Sequence, residues 1–150
     1  ALLPLFRARV GGGDAGRGRP ARQVSLTTHV SEPTVRADPS QIERILLNLG
    51  TNAAEAIEGQ GHVDFIIRQA TDNEAHGQGW LVLEVRDDGV GMSDHVHAHL
   101  FEPYFTTKPQ GTGIGLASVY GIVRQLGGRI TVHSELRTGS RFIVILPTWV

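Results

Sequence analysis

From Gln23 to Val30 the chain alternates Val24, Leu26 and Thr28 with polar neighbours, the two-residue period of a half-buried strand, and a short extended piece follows around Thr34 to Arg36. The period then changes. Ile42, Ile45, Leu46, Leu49, Ala53 and Ile57 recur at three- and four-residue spacing and so form one buried helical stripe. Asp38 can cap this helix, Pro39 suits its first turn, and Gln41 can reach back as in a capping box. The spacing predicts a helix to about Glu58, before Gly59, with Asn48, Asn52 and Glu55 on one flank beside the stripe.

Beyond the Gly59-Gln60-Gly61 turn, His62 to Arg68 and Trp80 to Arg86 read as strands around a polar loop, Ala70 to Gly79, which makes a hairpin with a long connection. A second long helix is expected from about Thr112 to Leu126, with Leu116, Val119, Tyr120, Val123 and Leu126 on one face and Gly127-Gly128 at its end. Arg129 to Ser134 and Arg141 to Leu146 alternate on either side of a turn containing Gly139. This order argues for an α+β fold: a two-layer α/β sandwich whose mixed, mostly antiparallel sheet carries helices on one face. A doubly wound Rossmann sheet fits less well, because strand and helix do not alternate strictly. Residues 11–22, rich in glycine and arginine, bury too little to order themselves and read as a flexible linker, so the domain is expected to be 23–150.

Composition narrows the classes. A chain of 150 residues and 16.2 kDa, 40% hydrophobic and 19% charged, supports one domain with a core. Its net charge of -1 gives no global field for nucleic acid or an anionic membrane, so any anion site is local. The absence of cysteine excludes disulfides, thiolate zinc sites and a cysteine nucleophile, and fits a reducing, cytosolic compartment. No apolar run is long enough to span a bilayer, and Pro4, Arg7 and Arg9 break up the opening segment where a signal peptide would lie. The chain starts without Met and reads as a fragment.

Nineteen glycines cluster where chemistry is expected. Asp87-Asp88-Gly89-Val90-Gly91-Met92 follows a strand directly; a carboxylate there, beside glycines that let a planar ring approach, can accept a hydrogen bond from an exocyclic amino group, as adenine would offer. The plainer reading is a tight turn with surface aspartates. Gly111-Thr112-Gly113-Ile114-Gly115-Leu116 opens the second helix, where backbone N–H groups make an anion site suited to phosphates, or a simple hinge. It is neither a Walker loop nor a dinucleotide fingerprint. Asn48 and Asn52 lie one turn apart, where better helix formers would be cheaper. An Asn carbonyl can ligate Mg²⁺ while phosphates and water complete the shell; a solvated flank is the alternative. His95, His97 and His99 invite a metal reading, yet no carboxylate or further ligand stands at a fitting distance, which favours a solvated helix.

Together these segments resemble the ATP-binding catalytic domain of bacterial two-component sensor histidine kinases, in the superfamily of gyrase, Hsp90 and MutL. Ile45 to Ile57 (ILLNLGTNAAEAI) is similar to the N box, Val85 to Met92 (VRDDGVGM) to the first glycine box, and Leu100 to Lys108 (LFEPYFTTK) to the phenylalanine box. Gly111 to Leu116 (GTGIGL) and Gly139 to Phe142 (GSRF) resemble the remaining glycine boxes, and the run Ala117 to Ile130 is closest to PAS-linked and nitrogen-regulation kinases.

The resemblance implies the Bergerat fold, ATP and Mg²⁺ as cofactors, and a role for each matching position. Asn52 would ligate Mg²⁺, with Asn48 supporting the phosphate side. Asp87 would hold the adenine amino group, Gly91 would line the ring with Gly89 in the same loop, and Ser140 would help through water. Phe101 and Phe105 would anchor the lid over ATP. Lys108, the only lysine, and the amides of Gly111, Thr112, Gly113, Ile114, Gly115 and Leu116 would meet the phosphates. Two departures are visible: only Pro109 and Gln110 separate Lys108 from Gly111, a short lid loop, and Arg137 stands where relatives commonly have glycine.

No histidine in the chain fits a phosphoacceptor pattern, so the accepting residue is expected on an adjoining dimerisation domain, of which Leu2 to Arg9 would be the tail. That domain and a response regulator are the implied partners, with no nucleic acid. The full-length protein would be a homodimer, this piece a monomer. It would lie in the cytoplasm, with room for a membrane anchor elsewhere in the full-length protein. An ATP hydrolase of the gyrase or MutL kind and a nucleotide-regulated binding module, such as a degenerate kinase or an anti-sigma factor, remain open. The hydrolases place a water-activating glutamate where this chain has Asn48, and an amide cannot take a proton.

Overall fold

A computed structural model describes residues 23–31, 33–75, 79–107 and 113–148. The expected tail and linker (residues 1–22) and Lys108, Gly111 and Thr112 lie outside these described residues. The elements are β1 (Gln23–Thr28), α1 (Pro39–Glu55), β2 (His62–Gln69), β3 (Trp80–Asp87), α2 (Asp94–His99), α3 (Gly115–Gln125), β4 (Arg129–Glu135) and β5 (Gly139–Pro147). The strands form a five-stranded sheet in the order β1-β2-β3-β5-β4. β1 runs parallel to β2 and every other pair is antiparallel, which is the expected mixed sheet.

One row of the register shows how the core is built. Phe65, Val85, Phe142 and Val132 lie opposite one another across β2, β3, β5 and β4, and all face the helical layer. Against them α1 places Ile45, Leu49 and Ala53, each fully buried, and α3 places Val119 and Val123. Each large side chain so buried contributes roughly 1.5–3 kcal/mol. The capping box forms as the sequence predicts: Asp38 accepts from the Ser40 N–H at 2.9 Å, and the Gln41 side chain accepts from the Asp38 N–H at 3.1 Å.

The structure corrects some boundaries. α1 stops at Glu55 rather than Glu58, because the Ala56 carbonyl is taken by the Val90 N–H at 2.9 Å, a tertiary bond in place of another helical turn. Gly139 opens β5 instead of sitting in the turn before it. Tyr120 is not part of the buried stripe of α3; its ring is 42% exposed and stacks on Phe101 at 5.4 Å between centroids.

The far face of the sheet is partly covered too. Val82, Ile143 and Ile145 form a smaller cluster with Ala75, against which Ala70 and Trp80 pack. The β2–β3 connection that supplies this cover is fastened by Arg68, which donates to both carboxylate oxygens of Glu74 at 2.6 Å each. Beside it, buried Glu84 accepts from Arg86 and Arg141. The Arg68 guanidinium holds the Glu74 carboxyl down at about 2. A depressed carboxylate contributes stability that is present above its ordinary value and lost as pH falls towards the folded one. Glu74→Gln is therefore expected to cost about 1.5–3 kcal/mol near neutral pH. Between pH 4.5 and about 2 the wild type should lose stability that the variant lacks, read by thermal melts across that window. Parallel acid profiles for the two proteins would refute the clamp.

Candidate functional site

A cavity of about 520 Å³ opens between the polar flank of α1, the Asp87–Met92 loop, α2 and the start of α3. The flank contributes Asn48, Thr51, Asn52 and Glu55, the segment just after the helix contributes Glu58, and the opposite side contributes Phe105, Thr106, Thr107, Gly113, Gly115 and Leu116. Val90, Gly91, Met92 and Ser140 close it between them. The helical period explains the flank: Asn48, Asn52 and Glu55 are three or four residues apart, off the edge of the stripe that holds Leu49 and Ala53 in the core.

The Asp87–Met92 loop is held from both sides. The Val90 N–H donates to Ala56 at the end of α1, and the Val90 carbonyl accepts from the Arg137 N–H at 2.7 Å. Gly91 adopts φ 68°, and a side chain there would run into the Glu135 carbonyl. Arg137 itself sits in the left-handed region at φ 63°. The turn thus forms with arginine where glycine would be unstrained.

Asp87 ends β3 opposite Ser140 on β5. It is 5% exposed, and one carboxylate oxygen accepts from the Gly89 N–H at 2.9 Å. The other oxygen, Oδ2, is buried with no hydrogen-bond partner among the described residues. Burial pushes this carboxyl above its usual range, against the lowering effect of the Gly89 and Ser140 N–H groups. Asp87 lines a neighbouring cavity of about 510 Å³ together with Arg86, Asp88 and Arg141; Ser140 is common to both cavities.

α2 forms the outer wall, capped by Ser93, whose hydroxyl accepts from the Val96 N–H. Its histidines are engaged locally: His97 Nε2 donates to the Val132 carbonyl at 3.0 Å, His99 pairs with Glu102 at 3.0 Å, and His95 and His99 pack against Phe105. No group of three metal-ligating side chains occurs among the described residues. Further along, Tyr104 takes φ 68° and donates its N–H to the Gly113 carbonyl at 2.9 Å. Gly113, at φ 70°, leaves no space for a Cβ against the Tyr104 backbone.

Of the residues singled out from the sequence, Asn48, Asn52, Gly91, Phe105, Gly113, Gly115, Leu116 and Ser140 meet at the main cavity. Gly89 packs beneath the loop against Ala56, Phe101 packs on the core and Tyr120, and Ile114 is 49% exposed. The sequence reading did not single out Thr51, Glu58, Met92, Val96, Thr106 and Thr107, which also line the cavity. It also missed Ser134, whose one signal is a small hydroxyl directly opposite Ser140, visible only once the β4–β5 register is known.

Residues 37–149 match the family described as histidine kinase-, DNA gyrase B-, and HSP90-like ATPase, and the chain belongs to it. Over 130 residues it is 38% identical to the sensor histidine kinase ZraS of Klebsiella oxytoca, covering 85% of this chain and 27% of that protein. The chain thus spans about a quarter of this relative's length. Full-length ShkA in complex with AMPPNP superposes with a TM-score of 0.77 at 28% identity, over 98% of this chain and 29% of that one. The mycobacterial sensor histidine kinase MprB gives 0.76 at 25% identity, over 98% and 89% respectively. The fold is that of histidine kinase catalytic domains.

Proposed function

We propose that this domain binds Mg-ATP and donates the γ-phosphoryl group to a histidine on an adjoining dimerisation domain, as part of two-component signalling with a response regulator. The observation that carries the reading is Asp87: a buried carboxylate with an unpartnered Oδ2 that lines the neighbouring cavity opposite Ser140, the residue common to both cavities. A buried acceptor left unpaired is costly, and an exocyclic amino group supplies the missing donor. Asn48 and Asn52 on the α1 flank offer hard amide oxygens suited to Mg²⁺, which takes few protein ligands and completes its shell with phosphate and water. Mg²⁺ would supply charge neutralisation at the phosphates. Asn52 is its proposed ligand, and Asn48 supports the phosphate side. Lys108 and the amides from Gly111 to Leu116 are proposed to meet the phosphates, Gly89 and Gly91 to flank the base, and Phe101 and Phe105 to anchor the lid. The run Ala117 to Ile130 supports a PAS-linked or nitrogen-regulation subtype. Action in the cytoplasm, homodimerisation of the full-length protein and a monomeric isolated domain belong to the same proposal.

A second reading, ATP hydrolysis, has one observation in its favour: the Glu55 carboxylate lines the cavity. The two readings separate in a transfer assay. With Mg-ATP alone the domain should give little acid-labile phosphoprotein and slow phosphate release, since Asn48 cannot accept a proton from water. Adding the native histidine-bearing helical domain, fused or in trans, should yield phosphohistidine by raising the acceptor's effective concentration. Rapid turnover by the isolated domain with no transfer would favour the hydrolase.

A further inference from the structure

We propose that Ser134 is a positioning residue that sets base specificity by fixing the polarity of the Ser140 hydroxyl. The inference rests on the reading that Asp87 receives an exocyclic amino group. A hydroxyl has one proton to donate and two lone pairs. Ser134 Oγ lies 2.8 Å from the Met92 N–H, 3.2 Å from the Gly139 carbonyl and 2.8 Å from Ser140 Oγ. The Met92 N–H can only donate, so Ser134 takes it on a lone pair. Of its two other neighbours the Gly139 carbonyl can only accept whereas the Ser140 hydroxyl can also donate, and the single Ser134 proton is assigned to the carbonyl. Its remaining lone pair is then filled by the proton of Ser140. Ser140 is left with lone pairs alone for the cavity it lines.

The base would consequently meet acceptors at two points, the Asp87 carboxylate and the Ser140 hydroxyl. In direct contact both favour an amino group and both repel a carbonyl oxygen. The same hydroxyl ties Met92 in the Asp87–Met92 loop to β4 and β5, so one small side chain couples the position of the loop to the polarity of the wall opposite. Without Ser134 the Ser140 proton is released. Ser140 can then rotate and donate to a carbonyl oxygen on the base.

The test compares ATP with inosine triphosphate, in which a carbonyl oxygen replaces the amino group. The wild type is expected to prefer ATP; equal affinities would overturn the proposed function itself. Given that preference, Ser134→Ala should lower the ATP-to-ITP affinity ratio about three- to tenfold, the worth of one neutral hydrogen bond, whatever happens to affinity for both. Loss of packing alone would weaken both nucleotides and leave the ratio unchanged, and that result overturns the inference. Ser134→Thr keeps the hydroxyl and should keep the ratio; a ratio as low as that of the alanine variant also overturns it. In a Ser140→Ala background the Ser134→Ala effect should vanish, and an effect that persists counts against the relay. If Ser134→Ala fails to fold, Ser134→Cys, with its weak thiol hydrogen bonding, reads the same ratio with the same two outcomes.

Discussion

Replacing Asp87 with Asn is expected to weaken ATP binding by about 1.5–3 kcal/mol, the range for a hydrogen bond to a charged group, while stabilising the nucleotide-free domain. The two effects share one cause. Burial raises the Asp87 carboxyl, with the Gly89 and Ser140 N–H groups offsetting only part of it. A group whose folded value is raised contributes stability below its ordinary value and loses it as pH rises through the folded one. At neutral pH the ionised side chain therefore costs stability, and Oδ2 has no partner to offset the cost. An amide keeps an oxygen for the Gly89 N–H and carries no charge. It also presents an NH₂ group where adenine presents another, so binding falls. Calorimetry with ATP and GTP, alongside thermal melts from pH 3 to 8, reads both. The wild type should gain stability relative to the Asp87→Asn variant as pH falls into the carboxylate range. Unchanged ATP affinity would remove the adenine assignment, and a destabilised variant at neutral pH would show that the buried charge does not cost stability.

Local signals were legible in the sequence and non-local ones were not. The capping box at Asp38 and Gln41 and the burial of Ile45, Leu49 and Ala53 follow from short-range spacing, and both are observed. Strands β2 and β3 begin where the alternation begins and run only one residue further than expected. Glu84, which drew no reading from the sequence, is buried because Arg86 and Arg141 close on it from two strands. The parallel pairing of β1 with β2 depends on where α1 docks, which no local pattern encodes. Tyr120 satisfies the helical period but lies at the rim of the stripe, where Phe101 meets it. At the site, Asn48, Asn52 and Gly91 could be found because their chemistry is unusual for their local context. Ser134 could not, because its meaning comes from a register partner and from Met92, distant in sequence.

The contact between the Asp87–Met92 loop and the β4–β5 turn carries a pair of expected results with opposite signs. Gly91→Ala places a methyl group in a left-handed conformation and against the Glu135 carbonyl. The conformation alone costs about 1–2 kcal/mol. The overlap adds to this, because the turn behind it is fixed by the Arg137 N–H on Val90 and the Thr138 N–H on Glu135. A total loss of about 2 kcal/mol or more is expected, together with loss of nucleotide binding as the loop moves away. Arg137→Gly acts on the other half of the contact. Its bond to Val90 comes from the backbone N–H, so glycine keeps it while releasing the strain at φ 63°. The relief of about 1–2 kcal/mol exceeds the roughly 0.4–1 kcal/mol that glycine's greater freedom adds to the unfolded chain. The variant should gain up to about 1 kcal/mol and bind ATP as the wild type does. Thermal unfolding and nucleotide titration of both variants check the pair. A Gly91→Ala protein with wild-type affinity would show that the loop does not need this contact, and a destabilised Arg137→Gly protein would show that the arginine side chain, not its strain, governs the turn.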